Sequence, residues 1–300
     1  MNLHIQYNQP KKTDICVVFC YFNTCGYVRS LQNLLFFENK LRAAKIPYFS
    51  AEMVIGDQPP MLASPTLRFH SKSALFYKEA LWNRLEQAIP EQYTKICFLD
   101  SDIIFDRPDW LDEISTLLDT HDVVHHFKIC HRLNHNFHID RTTISYVSTT
   151  DNKALKDPGF GICLTRSFFK KIGGFFDKCV MTSGDYYFIR VALLQENIYT
   201  FPSIDDDFLE YKKKFIGAKY TFLPCTILHL YHGTCQKRDY AGFSSMLDKV
   251  NTNWSNIAIL NSDGFWELKD SALNSKFIDY FKSREEDFIK PLVTSYRRMI

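Results

Sequence analysis

The chain has 300 residues, enough for one large α/β domain or two small ones around a sizeable core. Apolar residues make up 46% and charged residues 23%, the balance of a soluble globular protein rather than a disordered or fibrous one. A net charge of +2 gives no electrostatic case for nucleic acid or an anionic membrane surface as a partner.

Residues 1–13 are polar and read as a loose arm. Ile15-Cys16-Val17-Val18-Phe19-Cys20-Tyr21-Phe22 is the first strong strand signal, and Asn23-Thr24-Cys25-Gly26 breaks it. Tyr27 to Ala44 carries Leu31, Leu34, Leu35 and Leu41 at helical spacing, and Pro47 to Val54 reads as a second strand. Strand, helix and strand in this order predict a βαβ unit with parallel strands. The turn after the first strand has no GxGxxG pattern, which argues against a dinucleotide site. Glu52, near the end of the second strand, is placed to accept hydrogen bonds from a nucleotide base or ribose, or else is a solvated strand-end acid. A Pro-rich loop over 56–65 precedes a helix predicted over Ser71 to Ala88, which Pro90 ends. Lys78 on that helix is a candidate cation for a diphosphate.

The centre of the chain is Ile96-Cys97-Phe98-Leu99-Asp100-Ser101-Asp102-Ile103-Ile104-Phe105. Four apolar residues fit a strand buried on both faces, and two carboxylates follow one residue apart. In open α/β sheets ligands gather at the carboxyl ends of the strands, where Asp100, Ser101 and Asp102 would stand. Two carboxylates this close repel each other, and a divalent cation relieves the repulsion. Oxygen ligands suit Mn2+ or Mg2+, which often bridge carboxylates to phosphates. The other reading is a strand end with two solvated acids.

Pro108 starts another helix running to about Asp119, and Val123 to Phe127 is a strand. Six of the ten histidines lie between 121 and 138, in a segment whose asparagines read as a polar loop lining an acceptor cleft. Thr142 to Thr150 reads as a hairpin or flap. The strand Pro158 to Leu164 carries Gly159, Phe160 and Gly161, whose glycines would let a substrate approach the backbone. A helix over 166–172 ends at Gly173-Gly174. Gly184-Asp185 opens the next helix, where Asp185 is either an N-cap or a general base in a cleft. Asp205-Asp206-Asp207 reads as an acidic turn. Phe222 to Leu230 is a last strand leading into His229-Leu230-Tyr231-His232-Gly233. If the strand continues, its two histidines face opposite sides, so only one of them would bind a metal. Lys237, Arg238 and Tyr240 form a cationic loop suited to phosphates, and the chain beyond 241 reads as helical.

Nine cysteines form no CxxC pair, and several sit in apolar runs where a reduced thiol acts as a small hydrophobe. No apolar stretch is long enough for a membrane span, and the first residues lack the apolar core of a signal peptide. The expectation is therefore a protein without a transmembrane segment in a reducing, cytoplasmic setting.

The order of these pieces resembles the nucleotide-sugar glycosyltransferases of the GT-A fold, especially the inverting, family-2-like group. The shared elements are an apolar strand ending in Asp-Ser-Asp, a Gly-Phe-Gly strand, a Gly-Asp helix start and a strand ending in His-Gly, over roughly 14–245. The resemblance implies an α/β, Rossmann-like mixed sheet, mainly parallel and flanked by helices. It implies a catalytic domain over 1–245, with a nucleotide-sugar half at about 14–105 and an acceptor half at about 106–245. A helical C-terminal extension would span 246–300. Asp100 would lie near ribose and metal, Asp102 would ligate Mn2+ or Mg2+, and His232, in preference to His229, would complete the metal shell. Tyr21, Phe22 and Asn23 would hold the base, and Lys237 or Arg238 the diphosphate. Gly159, Phe160, Gly161 and Gly184 would face the acceptor. Asp185 would be the base that deprotonates an acceptor hydroxyl, although such enzymes usually carry Glu-Asp where this chain has Gly184-Asp185. The implied activity is transfer of a sugar from a nucleoside-diphosphate sugar, with UDP the expected nucleotide, to a hydroxyl of a glycan or other acceptor with inversion. Two rivals remain: a haloacid-dehalogenase-type phosphohydrolase with Asp100 as nucleophile, and a catalytically silent sugar-nucleotide or glycan-binding protein.

Overall fold

A computed structural model describes residues 3–151, 153–178, 184–192, 205–234, 236–238 and 254–287. The apolar runs become the strands of a seven-stranded sheet. Its members are β1 (Ile15–Phe22), β2 (Tyr48–Ile55), β3 (Leu67–Ser71), β4 (Lys95–Leu99), β6 (Val123–His125), β10 (Gly161–Thr165) and β11 (Tyr220–Phe222). The spatial order is β11-β6-β10-β4-β1-β2-β3. Neighbours are parallel except at β10, which runs antiparallel to both β4 and β6. The fold is mixed α/β with a mainly parallel central sheet.

Side chains alternate across this sheet and feed two apolar layers. Val18, Ile96 and Phe98 face one layer with Leu81, Trp82 and Leu85 of α2 (Lys78–Ala88). Val17, Phe19, Cys97 and Leu99 face the other, with Leu34, Phe37 and Leu41 of α1 (Val28–Ala43) and Trp110 and Ile114 of α3 (Trp110–Leu118). β4 is therefore covered on both sides, as its unbroken apolar run predicts.

A second sheet holds β5 (Ile103–Phe105), β7 (Ile129–Leu133), β8 (Ile139–Ser145), β9 (Lys156–Asp157) and β12 (Thr226–His229), in the order β5-β12-β7-β8-β9. β4 and β5 are separated only by Asp100, Ser101 and Asp102, so this turn passes from one sheet to the other. The described helices further along are α4 (Arg166–Ile172), α5 (Gly184–Ala192), α6 (Asp205–Lys213), α7 (Trp254–Ile257) and α8 (Ser271–Ser283). α4 is N-capped by the Thr165 side chain and ended by Gly173 at φ 80°, as its sequence signals require.

Several expectations change. The helix predicted from Ser71 starts only at Lys78, because Leu67–Ser71 forms an edge strand beside β2. The last predicted strand is two strands, β11 and β12, in different sheets. The acidic run at 205–207 opens helix α6, whose Phe208 and Tyr211 are buried in the core. Thr142 to Ser145 lies within β8 rather than a flap.

In the C-terminal stretch, 246–253 and 288–300 lie outside the described residues. The remainder includes α7, α8 and the antiparallel pair β13 (Ala258–Leu260) and β14 (Trp266–Leu268), so it is not wholly helical. Its Phe265, Leu273, Phe277 and Phe281 share the core layer of Phe98. No described helix is long and apolar enough to cross a membrane. The described cysteines 16, 20, 25, 97, 130, 163 and 225 are free thiols, and Cys179 and Cys235 lie outside the described residues.

Candidate metal and donor site

A cavity of about 480 Å³ opens at the carboxyl ends of β1 and β4. Its floor is the Asp100–Asp102 turn. Two backbone hydrogen bonds pin that turn: Asp100 N–H donates to the Phe160 carbonyl at 3.0 Å, and Leu230 N–H donates to the Asp102 carbonyl at 2.8 Å. The first fixes the turn to the chain entering β10, the second to the end of β12.

On one side of this floor Asp102, His229 and His232 converge, with ligand atoms all within 4.8 Å of one another. Asp102 Oδ2 lies 2.9 Å from His232 Nε2 and 3.5 Å from His229 Nε2, and the two Nε2 atoms are 3.2 Å apart. Adjacent ligands of one cation at a bond length near 2.1 Å stand roughly 3 Å apart, so the spacing fits a shared ion. Asp102 Oδ1 is buried and has no hydrogen-bond partner among the described residues, which is costly unless a cation takes it. Burial pushes His229 down to about 4 against the pull of Asp102, so it is neutral at pH 7 with a lone pair to give. Burial works against the charge of Asp102, but the facing imidazoles outweigh it and hold the acid well below the ordinary range. An anionic oxygen and imidazole nitrogens are the donors a divalent ion requires.

Both histidines belong to the trio, contrary to the expectation that only one could. β12 ends at His229, and the chain then turns through Gly233, at φ 91°, so alternation stops before His232. Asp100, expected beside Asp102 on the metal, instead faces the other side of the floor. Its Oδ1 is 3.3 Å from Lys78 Nζ, which also lies 2.8 Å from Asp185 Oδ1 and over the Trp82 ring at 5.2 Å. Glu79 joins this group in the first turn of α2. Burial, reinforced by Asp185, lifts Glu79 to about 8, so it is largely protonated at neutral pH. Burial likewise raises Asp100 to about 6, with Lys78 opposing. The cluster therefore combines one ammonium with three carboxyl groups.

The wall facing β1 contains Tyr21, Phe22 and Asn23. The Asn23 amide donates to the Tyr21 hydroxyl at 2.8 Å and to the Tyr27 carbonyl at 2.7 Å, while its oxygen accepts from Tyr27 N–H at 3.0 Å. Asn23 thus shapes the wall by closing the turn after β1. Gly159, Phe160, Gly184 and Asp185 line the opposite side. A Cβ on Gly159 would sit 3.2 Å from both Asp157 Oδ1 and Asp185 Oδ2. A Cβ on Gly184 would collide with the Glu79 carboxyl.

Three sequence assignments change. Gly161 serves packing rather than acceptor approach: at φ 117°, its Cβ would strike the Phe98 carbonyl and lie 2.7 Å from Leu99 Cα. Glu52 is buried away from the cavity, accepting from Met61 N–H at 2.5 Å and pairing with Arg68 Nε at 2.8 Å, so it secures the 61–68 loop and cannot reach a nucleotide there. Lys237 is exposed and pairs with Glu285 at 3.1 Å, outside the cavity lining. The Arg238 side chain and Tyr240 lie outside the described residues.

Sequence reasoning missed Arg132 and Asp157. Arg132 pairs with Asp157 at 2.5 Å and lies over the Phe160 ring at 4.7 Å. Burial works against the charge of Asp157, but Arg132 outweighs it and keeps the acid low. Neither residue stands in a motif; strand pairing across the second sheet brings them to the site.

No protein-family model matches the chain, and no curated protein does. Among solved structures, the chain is similar to the catalytic domain of Drosophila β1,4-galactosyltransferase 7 in complex with xylobiose. The identity is 12%, over 88% of this chain and 98% of that one, with a TM-score of 0.40. A mutant of the same enzyme, in complex with manganese, UDP-Gal and xylobiose, matches at 14% identity over 69% of this chain and 64% of that one, with a TM-score of 0.34. A 4-diphosphocytidyl-2C-methyl-D-erythritol synthase from Anaerococcus prevotii matches at 8% identity over 70% and 86%, with a TM-score of 0.33. Similarity this distant concerns the path of the chain and transfers no chemistry; the residues of the cavity have to supply it.

Proposed function

We propose that the protein is a divalent-metal-dependent glycosyltransferase. It takes a sugar from a nucleoside-diphosphate sugar, with UDP the expected nucleotide, and passes it to a hydroxyl of a glycan or other acceptor. The observation that carries this reading is the Asp102, His229 and His232 trio, with the unpartnered Asp102 Oδ1, on the floor of a cavity that also holds Asp185. Two imidazoles in the donor set favour Mn2+ over Mg2+. When bound, the cation supplies Lewis-acid stabilisation of the departing nucleoside diphosphate.

The chain's own residues divide the remaining work. Tyr21, Phe22 and Asn23 form the wall against which the nucleoside packs, and Asp100 and Ser101 lie on the floor within reach of its ribose. Lys78, held 2.8 Å from Asp185, fixes the orientation of that carboxylate. Asp185 accepts the proton of an acceptor hydroxyl as its oxygen bonds to the anomeric carbon and the bond from that carbon to the diphosphate oxygen breaks. A single displacement of this kind inverts the anomeric centre. Gly159 and Gly184 leave room beside the base, where any side chain would crowd Asp185 or Glu79.

A thermal-shift screen of nucleoside diphosphates and their sugars, with and without Mn2+, tests the reading. A ligand of the native state raises the melting temperature by mass action. UDP or a UDP-sugar is expected to do so only with Mn2+ present, and the Mn2+-loaded protein is expected to turn over the sugar nucleotide. If no nucleoside diphosphate shifts the transition in either condition, the donor site does not exist. Turnover of an aryl phosphate without sugar-nucleotide turnover would instead support the phosphohydrolase reading, and binding without turnover a silent receptor.

A further inference from the structure

The metal trio has an outer layer. His232 turns Nε2 toward Asp102, and its Nδ1 lies 3.5 Å from Oε2 of Glu286. Glu286 is 7% exposed. Its Oε2 also accepts from the Ser30 hydroxyl at 3.0 Å, and its Oε1 pairs with Arg284 at 2.6 Å. The carboxylate is thus oriented by partners on both oxygens.

The segment that carries Glu286 is anchored at several points. The Tyr27 hydroxyl donates to the Phe281 carbonyl at 2.9 Å. Asp287 accepts from the N–H groups of Val28 and Arg29, at 2.6 and 2.8 Å, satisfying two orphan donors in the first turn of α1. At Gly233 a Cβ would lie 3.2 Å from the Arg284 carbonyl and 3.3 Å from Glu286 Cα, so glycine lets the turn after His232 close onto the segment. A cation taken by Nε2 leaves the imidazole's one proton on Nδ1, where a buried carboxylate accepts it and fixes the ring.

We infer that Glu286 is a positioning residue of the metal centre. It accepts the Nδ1–H that His232 presents once Nε2 takes the cation, so that docking of Arg284–Asp287 sets the affinity for the divalent ion. This rests on the metal reading of Asp102, His229 and His232. The coupling is reciprocal by thermodynamic necessity: the docked segment tightens metal binding, and bound metal tightens the docking.

The experiment uses the full chain with Mn2+, or with Zn2+ as its diamagnetic stand-in, and no nucleotide. Free Mn2+ is followed by electron paramagnetic resonance, and the His232 Nδ1–H of the Zn2+-loaded protein by 15N–1H NMR. Glu286→Gln is expected to weaken Mn2+ binding about 10- to 100-fold and to lose the exchange-protected His232 Nδ1–H signal. Glu286→Asp should recover part of both losses. Asp287→Asn, which touches no ligand of the trio, should weaken Mn2+ binding in the same direction by less, and keeps the test open should the Glu286 variants misfold. Wild-type affinity and an unchanged Nδ1–H signal in Glu286→Gln would overturn the inference alone, provided Asp102→Ala abolishes binding. A wild-type protein that binds no Mn2+ would overturn the metal reading and this inference together.

Discussion

Asp100 and Asp102 are two residues apart, yet they serve opposite sides of one cavity. Asp102 meets two imidazoles, and one of its oxygens is left without a hydrogen-bond partner among the described residues. Asp100 meets an ammonium already placed, in company with Asp185 and Glu79. The first side is built to take a cation from outside. The second supplies its own and holds more carboxyl groups than one ammonium can neutralise, which suits the role proposed for Asp185 in taking a proton. Two acids in one short motif are therefore no guide to a shared ligand; their neighbours decide.

The comparison breaks first at Asp102. Asp102→Ala should lower Mn2+ affinity at least about a thousandfold, because it removes the anionic ligand of the set; calorimetric titration checks this. Asp185→Asn should leave Mn2+ and nucleotide affinity within about twofold while kcat falls roughly 10²- to 10⁴-fold, the span of general-base catalysis. If both variants lose metal binding alike, the two sides are one site and the division drawn here is wrong.

Glu79 sharpens the proton-handling side. Its folded value, about 8, lies above the ordinary 4.5. A carboxyl group raised in this way contributes stability that is complete below pH 4.5 and is lost as pH rises through 8. The wild type should therefore lose stability relative to Glu79→Gln across that window, on the order of 5 kcal/mol. Denaturant midpoints at pH 5 and pH 8.5 measure the difference, and parallel profiles for the two proteins would contradict it. The smallest effect is expected at Lys237→Ala. This residue pairs with Glu285 on the surface, so nucleotide affinity should move by less than about 0.5 kcal/mol.

What could be read from the sequence follows burial. β1, α1, β2 and β4 were legible because each buries an unbroken or strictly periodic apolar set. Leu67–Ser71 was not, since a short edge strand alternates polar and apolar residues on one neighbour only. The acidic start of α6 hid a helix whose buried side is Phe208 and Tyr211. In the site, Asp102 and Asp185 stand out as strand-end and helix-start residues, and His232 only through the family resemblance. His229 is hidden because alternation, extended past the residue where β12 stops, allows only one of the two histidines on the metal side. Glu79, Arg132, Asp157 and Glu286 reach the cavity through contacts across long stretches of chain, and nothing local to them announces it.

The hydrogen bond from Leu230 to Asp102 has a mechanical meaning. It continues the ladder in which His229 stands opposite Ile103, so the carboxylate and the first imidazole are locked in step by strand pairing. Sliding β12 by one position would turn His229 to the far face of its sheet and leave the acid alone. The seat for the ion is thus assembled when the second sheet zips up, and an arriving cation meets a finished fixture rather than a loop it must first organise.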